Sequence, residues 1–290
     1  MGGSDDLSGL APARLDGQNT ASSGSGTFAR NPQGAGRRAR RIVHLPVLMG
    51  TISLGSVFGI WWIVSLFVGS LTLPSPYAAI DGLISTATAG ALLPALWLSL
   101  REMYMGLAIG VGAGVLIGLL IGAFASVDQV MLPYINVLNS IPGVILIPIL
   151  IIWLGLGSMT RVIFVVLITI WPMVINVRAG VRSSAVRYRD LAKVFELSRL
   201  ATIRKLMLPA STPYLLAGLR ISFGLAIIGM IVGEMDVSFS GLGFLLINFG
   251  SSLQTNRLVG VVCLAAFIGL AQTGIVKLLE SKFLPWVKHT

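Results

Sequence analysis

Charge is what this chain has least of: 11% of its 290 residues are Asp, Glu, Lys or Arg, against 55% hydrophobic residues, and its mean hydropathy is +0.88. That balance excludes an ordinary water-soluble domain and makes a bilayer the main solvent. Cysteine is nearly absent. Cys263 alone, inside an apolar run, excludes a disulfide framework and a cysteine-based metal site. The two histidines, His44 and His289, lie outside the long apolar runs, so those runs hold no metal-ligand cluster and no nucleophile–base pair for an intramembrane enzyme. No G-x-x-x-x-G-K-[ST] segment occurs, so the chain has no such phosphate loop of its own. A net charge of +10 raises the question of nucleic acid, but the Lys and Arg residues sit between apolar runs and not on a surface interleaved with aromatics. No nucleic-acid partner is expected.

What is abundant is long uncharged runs. Residues 47–69 carry no charge and suffice to cross a hydrocarbon core, which takes about 20 helical residues. Residues 71–94, with Pro74, Pro76, Asp81 and Pro94, read as a loop with a short interfacial helix. A second uncharged run, 103–125, carries Gly106, Gly110, Gly112, Gly114, Gly118 and Gly122, at intervals that permit close helix approach in lipid. The run from Gln129 to Thr160 is interrupted by Pro133, Pro142 and Pro148, which predicts one kinked helix and an outer turn at Gly155-Leu-Gly157. Segments 161–178, 213–234 and 258–276 supply three more spans. The expected fold is an all-α polytopic membrane protein with six transmembrane helices. The first 40 residues are rich in Gly, Ser, Ala, Asn and Arg, a composition that buries too little apolar surface to fold, and are expected to be a disordered tail. The first apolar run lies too far from Met1 and is too long for a cleaved signal peptide.

Orientation follows from the cations. Of 21 Lys and Arg residues, six precede residue 42, eight lie between Arg178 and Lys205, and three follow from Lys277. Six crossings put all of these on one side, leaving Arg101, Arg161, Arg220 and Arg257 elsewhere. The positive-inside rule then makes both termini and the 178–212 loop cytoplasmic.

That loop holds VRYRDLAKVFELSRLATIRKLMLP (186–209), in which Leu191, Val194, Phe195, Leu197, Leu200, Ile203 and Leu206 recur at helical spacing. One reading is an interfacial helix whose cations meet anionic headgroups. The details resemble instead the coupling-helix motif of type I ABC importer permeases: Glu-Ala-Ala, a Gly four residues later and a terminal Leu-Pro. Asp190, Leu191 and Ala192 stand at the Glu-Ala-Ala positions, Phe195 and Leu197 flank the motif glycine position, Ser198 and Arg199 follow, and Leu208-Pro209 closes the motif. Glu196 replaces the motif Gly, so either the turn is made differently or the two helices run nearly continuous. The resemblance extends over roughly 95–285, through IPGVILIPILIIWLGLGSMTRV (141–162), WPMVINVRAGV (171–181), LPASTPYLLAGLRISFGLAIIGMIVGEM (208–235) and SGLGFLL (240–246), and is nearest to the nitrate, sulfonate, taurine and bicarbonate subgroup.

The resemblance implies the type I permease fold, with a disordered cytoplasmic tail at 1–44, a first transmembrane helix and outer loop at 45–94, and a permease core at 95–290 containing the coupling loop 178–212. It implies a permease of an ATP-driven importer in the bacterial inner membrane, itself no enzyme, without metal or cofactor in this chain. ATP and Mg would be bound by a separate cytoplasmic ABC ATPase present in two copies. The other implied partners are a second permease subunit, as a homodimer, an extracytoplasmic substrate-binding protein, and the bilayer. The solute would be small and anionic: a sulfonate, taurine, nitrate or a related organic anion. The outer loops at Gly155-Leu-Gly157 and Gly241-Leu-Gly243 would face the binding protein, though turn chemistry accounts for each glycine equally well.

Polar residues inside spans are the candidates for the translocation pathway, because burying them in lipid is costly unless they face a cavity or a partner. They are Asn139, Ser140, Trp171, Asn176, Arg220, Glu234 and Gln272. Arg220 would attract an anion, but snorkelling toward the cytoplasm or pairing with a carboxylate is the favoured alternative. Glu234 is the only acid inside the expected spans, which, with no repeated half visible, weighs against the competing class, an ion-coupled secondary transporter.

Overall fold

The computed structural model describes residues 35–283, and among these it is all helical. The chain divides at Gly55/Ser56 into two units, the first contributing the start of helix α1 (Ala35–Val68) and the second everything that follows. Residues 1–34 of the expected tail lie outside the described residues.

The segment after α1 contains helix α2 (Pro76–Thr88), which begins where the sequence provides a start signal: Ser75 accepts a hydrogen bond from the Ala78 N–H, and Pro76 occupies the first turn. Helix α3 (Leu92–Ala123) starts well before the uncharged run at 103. Pro94 falls in its first turn, where a missing N–H costs no helical hydrogen bond. After a break at Phe124 the chain forms helix α4 (Ala125–Ser140), a 3-10 turn over Gly143–Leu146 and helix α5 (Ile147–Leu154), with an 86° bend between the two halves. The three prolines of this stretch act differently. Pro133 is carried inside α4, Pro148 sits in the first turn of α5, and Pro142 ends α4 by holding Ile141 in an extended conformation.

Helix α6 (Ser158–Arg187) then runs without interruption from the turn at Gly155-Leu-Gly157 into the charged loop. The loop contains helices α7 (Arg189–Val194), α8 (Arg199–Thr202) and α9 (Leu208–Ala210), with a π-helical turn at Ile203–Met207. Helix α10 (Thr212–Val237), the short helix α11 (Leu242–Ser251) and helix α12 (Thr255–Phe283) complete the chain. The segment expected as an outer loop at 240–246 is thus the start of α11.

Among the described residues four helices are long and apolar enough to cross a membrane: α3, α6, α10 and α12. The bent α4–α5 pair makes a fifth if taken as one span, and the first expected span falls in α1, whose described apolar part is Ile52–Val68.

The core is organised by α3 lying on α6. A Cβ added at Gly106, Gly110, Gly114, Gly118 or Gly122 would stand 2.2–2.8 Å from Val165, Thr169, Met173, Val177 or Val181 respectively. The step is four residues on both helices and both numbers rise together, so the helices run parallel with backbone laid against side chain along five turns. Gly112, on the opposite face, has nothing within 4 Å. Around this pair, Met103, Leu107, Val165, Ala226, Met230, Leu242, Phe249 and Val261 join α3, α6, α10, α11 and α12 in one buried cluster. Helix α2 packs on α12 with comparable closeness, Gly82 against the Asn256 carbonyl and Gly260 against the Ala79 carbonyl. The lipid-facing sides carry exposed Trp97, Leu116, Leu120, Phe267 and Leu270, as expected where hydrocarbon is the solvent.

Replacing Gly114 or Gly118 by Leu is expected to force α3 off α6 at a cost of about 1–3 kcal/mol or more, while Gly112→Leu leaves the fold intact. Thermal unfolding midpoints and the monodisperse yield in detergent measure the contrast.

Candidate functional site

Helix α6 delivers the charged loop as its own continuation. Its final N–H capping bond, Tyr188 to Ser184 O at 2.9 Å, leads directly into α7. That helix ends at Phe195, where the Glu196 N–H bonds Lys193 O at 3.1 Å and the Leu197 N–H bonds Ala192 O at 3.0 Å, with Glu196 at φ +48°. This pair of bonds around a left-handed residue is the Schellman closure that glycine normally provides. The structure has neither a different turn nor nearly continuous helices: the turn is closed as glycine closes it, with Glu196 in the glycine's conformation. Ser198 then starts α8: its hydroxyl accepts from the Ala201 N–H at 3.3 Å, and its carbonyl accepts from the Thr202 N–H at 2.9 Å.

The expected coupling residues divide between two faces. Val194 and Phe195 are 78% and 66% exposed, Leu191 is exposed, and Asp190 pairs with Lys193 at 3.9 Å, its side chain almost entirely exposed. Leu197, Ile203 and Met207 turn the other way and, with Thr202, face Ala123 and Phe124 at the α3–α4 corner across a cavity of about 180 Å3. Met207 also joins Val177 and Val181 in the α3–α6 core. Ala192 and Leu208 are half-buried, Pro209 is exposed, and the Arg199 side chain lies outside the described residues. The loop is therefore seated on the bundle by one apolar face while a second apolar face stays open to water, an arrangement that suits docking to another protein.

The expected pathway residues do not form one site. Asn139 and Trp171 line a shared cavity of about 260 Å3 at the α4–α5 bend, with Pro142, Gly143, Ile168 and Leu225. Ser140 is exposed and bonds back to Asn136 O at 2.7 Å, and the Asn176 side chain bonds Pro172 O at 2.8 Å. Arg220 pairs with Glu280 of α12, one guanidinium nitrogen lying 2.6 Å from both carboxylate oxygens. Gln272 is buried with its amide nitrogen 3.4 Å from Tyr104 Oη and from Met103 Sδ. Glu234, near the end of α10, is buried and accepts from the Gly243 N–H at 2.8 Å. It holds the start of α11, where Gly241 at φ +101° leaves room that a Cβ, 2.4 Å from the Glu234 carboxyl carbon, would not.

Glu234 is not the only acid inside the helices. Glu102 of α3 is 3% exposed and takes a bidentate ion pair from Arg161 of α6 at 2.6 and 2.7 Å, with the Ser158 hydroxyl as a further donor. Asp128 in the first turn of α4 is 5% exposed and is held by Arg178 and Arg182 of α6. Glu102 stands one residue outside the span expected at 103–125, because a charge at the edge of an uncharged run reads as its boundary. The available signal was a mirrored one: charges of opposite sign border the runs that form α3, α4 and α6, at places where they meet in the fold. Truncating one partner of the Glu102–Arg161 pair costs about 3–5 kcal/mol, because the other is left buried and unpaired.

Residues 110–285 match the family model described as "Binding-protein-dependent transport system inner membrane component". The nitrate import permease protein NrtB of Leptolyngbya laminosa is 31% identical over 188 residues, 64% of this chain and 67% of that protein. The taurine transport system permease protein TauC of Escherichia coli is 27% identical over 248 residues, 81% of this chain and 90% of that protein. Among solved structures, an inward-facing conformation of the MetNI methionine ABC transporter superposes with a TM-score of 0.53 at 19% identity, covering 66% of this chain and 97% of that one, a likeness of fold.

Glu196→Gly is expected to stabilise the turn between α7 and α8 by about 1 kcal/mol, the cost of a left-handed non-glycine residue, and Glu196→Val to weaken it. Amide exchange at Glu196 and Leu197 reads both, slower in the first variant and faster in the second.

Proposed function

The chain belongs to the family of binding-protein-dependent transport system inner membrane components, the permeases of ABC importers, and we propose that it is the membrane subunit through which a small anionic solute enters a bacterial cell at the expense of ATP hydrolysed elsewhere. The observation that carries this reading is the loop 186–209: two short helices with an open apolar face at Val194 and Phe195, continuous with α6 and seated on the α3–α4 corner. A lever of this kind suits docking in a groove of a cytoplasmic ATPase, with two copies of that ATPase holding ATP and Mg. In the proposed assembly two copies of this permease form the pathway, and an extracytoplasmic binding protein delivers the solute at the outer ends of the helices. The termini and the loop face the cytoplasm, where the cations concentrate.

For the solute, the names of the relatives support an oxyanion class, nitrate or a sulfonate such as taurine. Arg220 is not free to bind it, being engaged by Glu280. The Asn139–Trp171 cavity, at the break of a discontinuous helix, is the better place for a solute to pass, since irregular backbone at membrane depth is tolerated where it lines a cavity.

Purification of the tagged chain in mild detergent is expected to recover a P-loop ATPase, and Phe195→Glu to abolish that recovery while the permease still inserts. Asp190→Lys or Leu197→Arg should leave insertion intact and lower solute moved per ATP by about tenfold, a loss of about 1.4 kcal/mol in coupling. Recovery of the permease alone, without ATPase activity, would move the reading to an ion-coupled secondary transporter.

A further inference from the structure

Asp128 stands where α4, α6 and the α3–α4 corner meet. It lies in the first turn of α4, directly after the corner at Ala123 and Phe124 on which the coupling loop rests. Its carboxylate is buried and faces two guanidinium groups on α6. Arg178 donates to both oxygens, through Nε to Oδ1 and through Nη2 to Oδ2 at 3.1 Å, while Arg182 Nε stands 3.6 Å from Oδ2. Arg178 and Arg182 are four residues apart on the same face of α6, so one carboxylate is offered two guanidinium partners about 6 Å apart along the helix. In this structure it occupies the first and lies just outside hydrogen-bond reach of the second.

Helix α4 is also seated on α6 through buried Ile135, which packs with Val174, Ile170, Trp171 and Ile175, so a shift between the two partners moves that contact as well. The coupling loop does not fill the space over the corner, where the cavity of about 180 Å3 remains. Beyond Asp128, α4 leads to the 86° bend that borders the Asn139–Trp171 cavity. A one-turn step of one element past another is an established form of two-state change, and a buried charge with two alternative partners makes such a change bistable instead of continuous.

We propose that Asp128 is a positioning residue that exchanges its main partner between Arg178 and Arg182, so that movement of α6 with the coupling loop steps α4 relative to α6 and reshapes the cavity at the bend. This rests on the function proposed above, with the coupling loop as the point where the ATPase acts. Arg178 holds the seat seen here. Arg182, whose side chain is 36% exposed and already stands 3.6 Å from Oδ2, holds the alternative seat.

The test uses the permease copurified with its ATPase, comparing hydrogen exchange of the segment 124–132 in nucleotide-free and ATP–vanadate-trapped complexes. The wild type is expected to show a change of about fivefold or more in that segment. Arg182→Gln should assemble normally, keep the nucleotide-free exchange pattern and lose the nucleotide response, and Arg182→Lys should restore at least part of it. A response in Arg182→Gln equal to that of the wild type overturns the proposal, as does a wild-type segment that ignores nucleotide. Either result leaves the function proposed above standing, since that reading fails instead when no ATPase copurifies.

Discussion

Everything in this fold depends on how closely α3 lies against α6. In lipid there is little hydrophobic gain from bringing two apolar helices together, so association rests on dense packing and on polar contacts. Five glycines at four-residue steps remove the side chains from one face of α3, and the side chains from Val165 to Val181 occupy the space. The two helices are thereby fixed in register over most of their length. Because α6 continues into the charged loop and Met207 of that loop packs back onto the same seam, the loop is built into the helical core.

The ionic contacts occupy the ends of this seam. Glu102 with Arg161 toward one end and Asp128 with Arg178 and Arg182 toward the other each join α6 to a neighbouring helix. Their burial makes them costly to disrupt one side at a time and gives them fixed geometry. The two groups differ in kind. The first is a closed bidentate pair with a hydroxyl donor, suited to holding; the second has more cations than carboxylates, which leaves an alternative partner available.

Much of this was legible in the sequence. The glycine spacing announced the helix contact, although Gly112, grouped with the others by spacing, takes no part, and the periodicity of the loop announced its short helices. Pro142 announced the break between α4 and α5, although the sequence could not distinguish its effect from that of Pro133, which stays inside a helix. The beginning of α3 was misplaced because Pro94 and Glu102 look like loop residues when tertiary partners are unknown. The ion pairs were not legible for the same reason: a charge at the edge of an apolar run reads as a membrane boundary until the helix carrying its partner is placed beside it. At Glu196 local propensity is overridden, since the turn is specified by its hydrogen bonds and its surroundings even where the residue best suited to it is absent.

The central claim is that α3 and α6 form one rigid frame that carries movement from the coupling loop into the membrane. Spin labels on the lipid-facing sides of α3 and α6, in a chain with Cys263 replaced by Ser, would report the distance between them in the complex with its ATPase, with and without trapped ATP. The account predicts a distance unchanged within about 2 Å, the scale of small helix adjustments, while the distance between α6 of the two permease copies changes. A nucleotide-dependent shift between α3 and α6 of about one helical turn, near 5.4 Å, would contradict it.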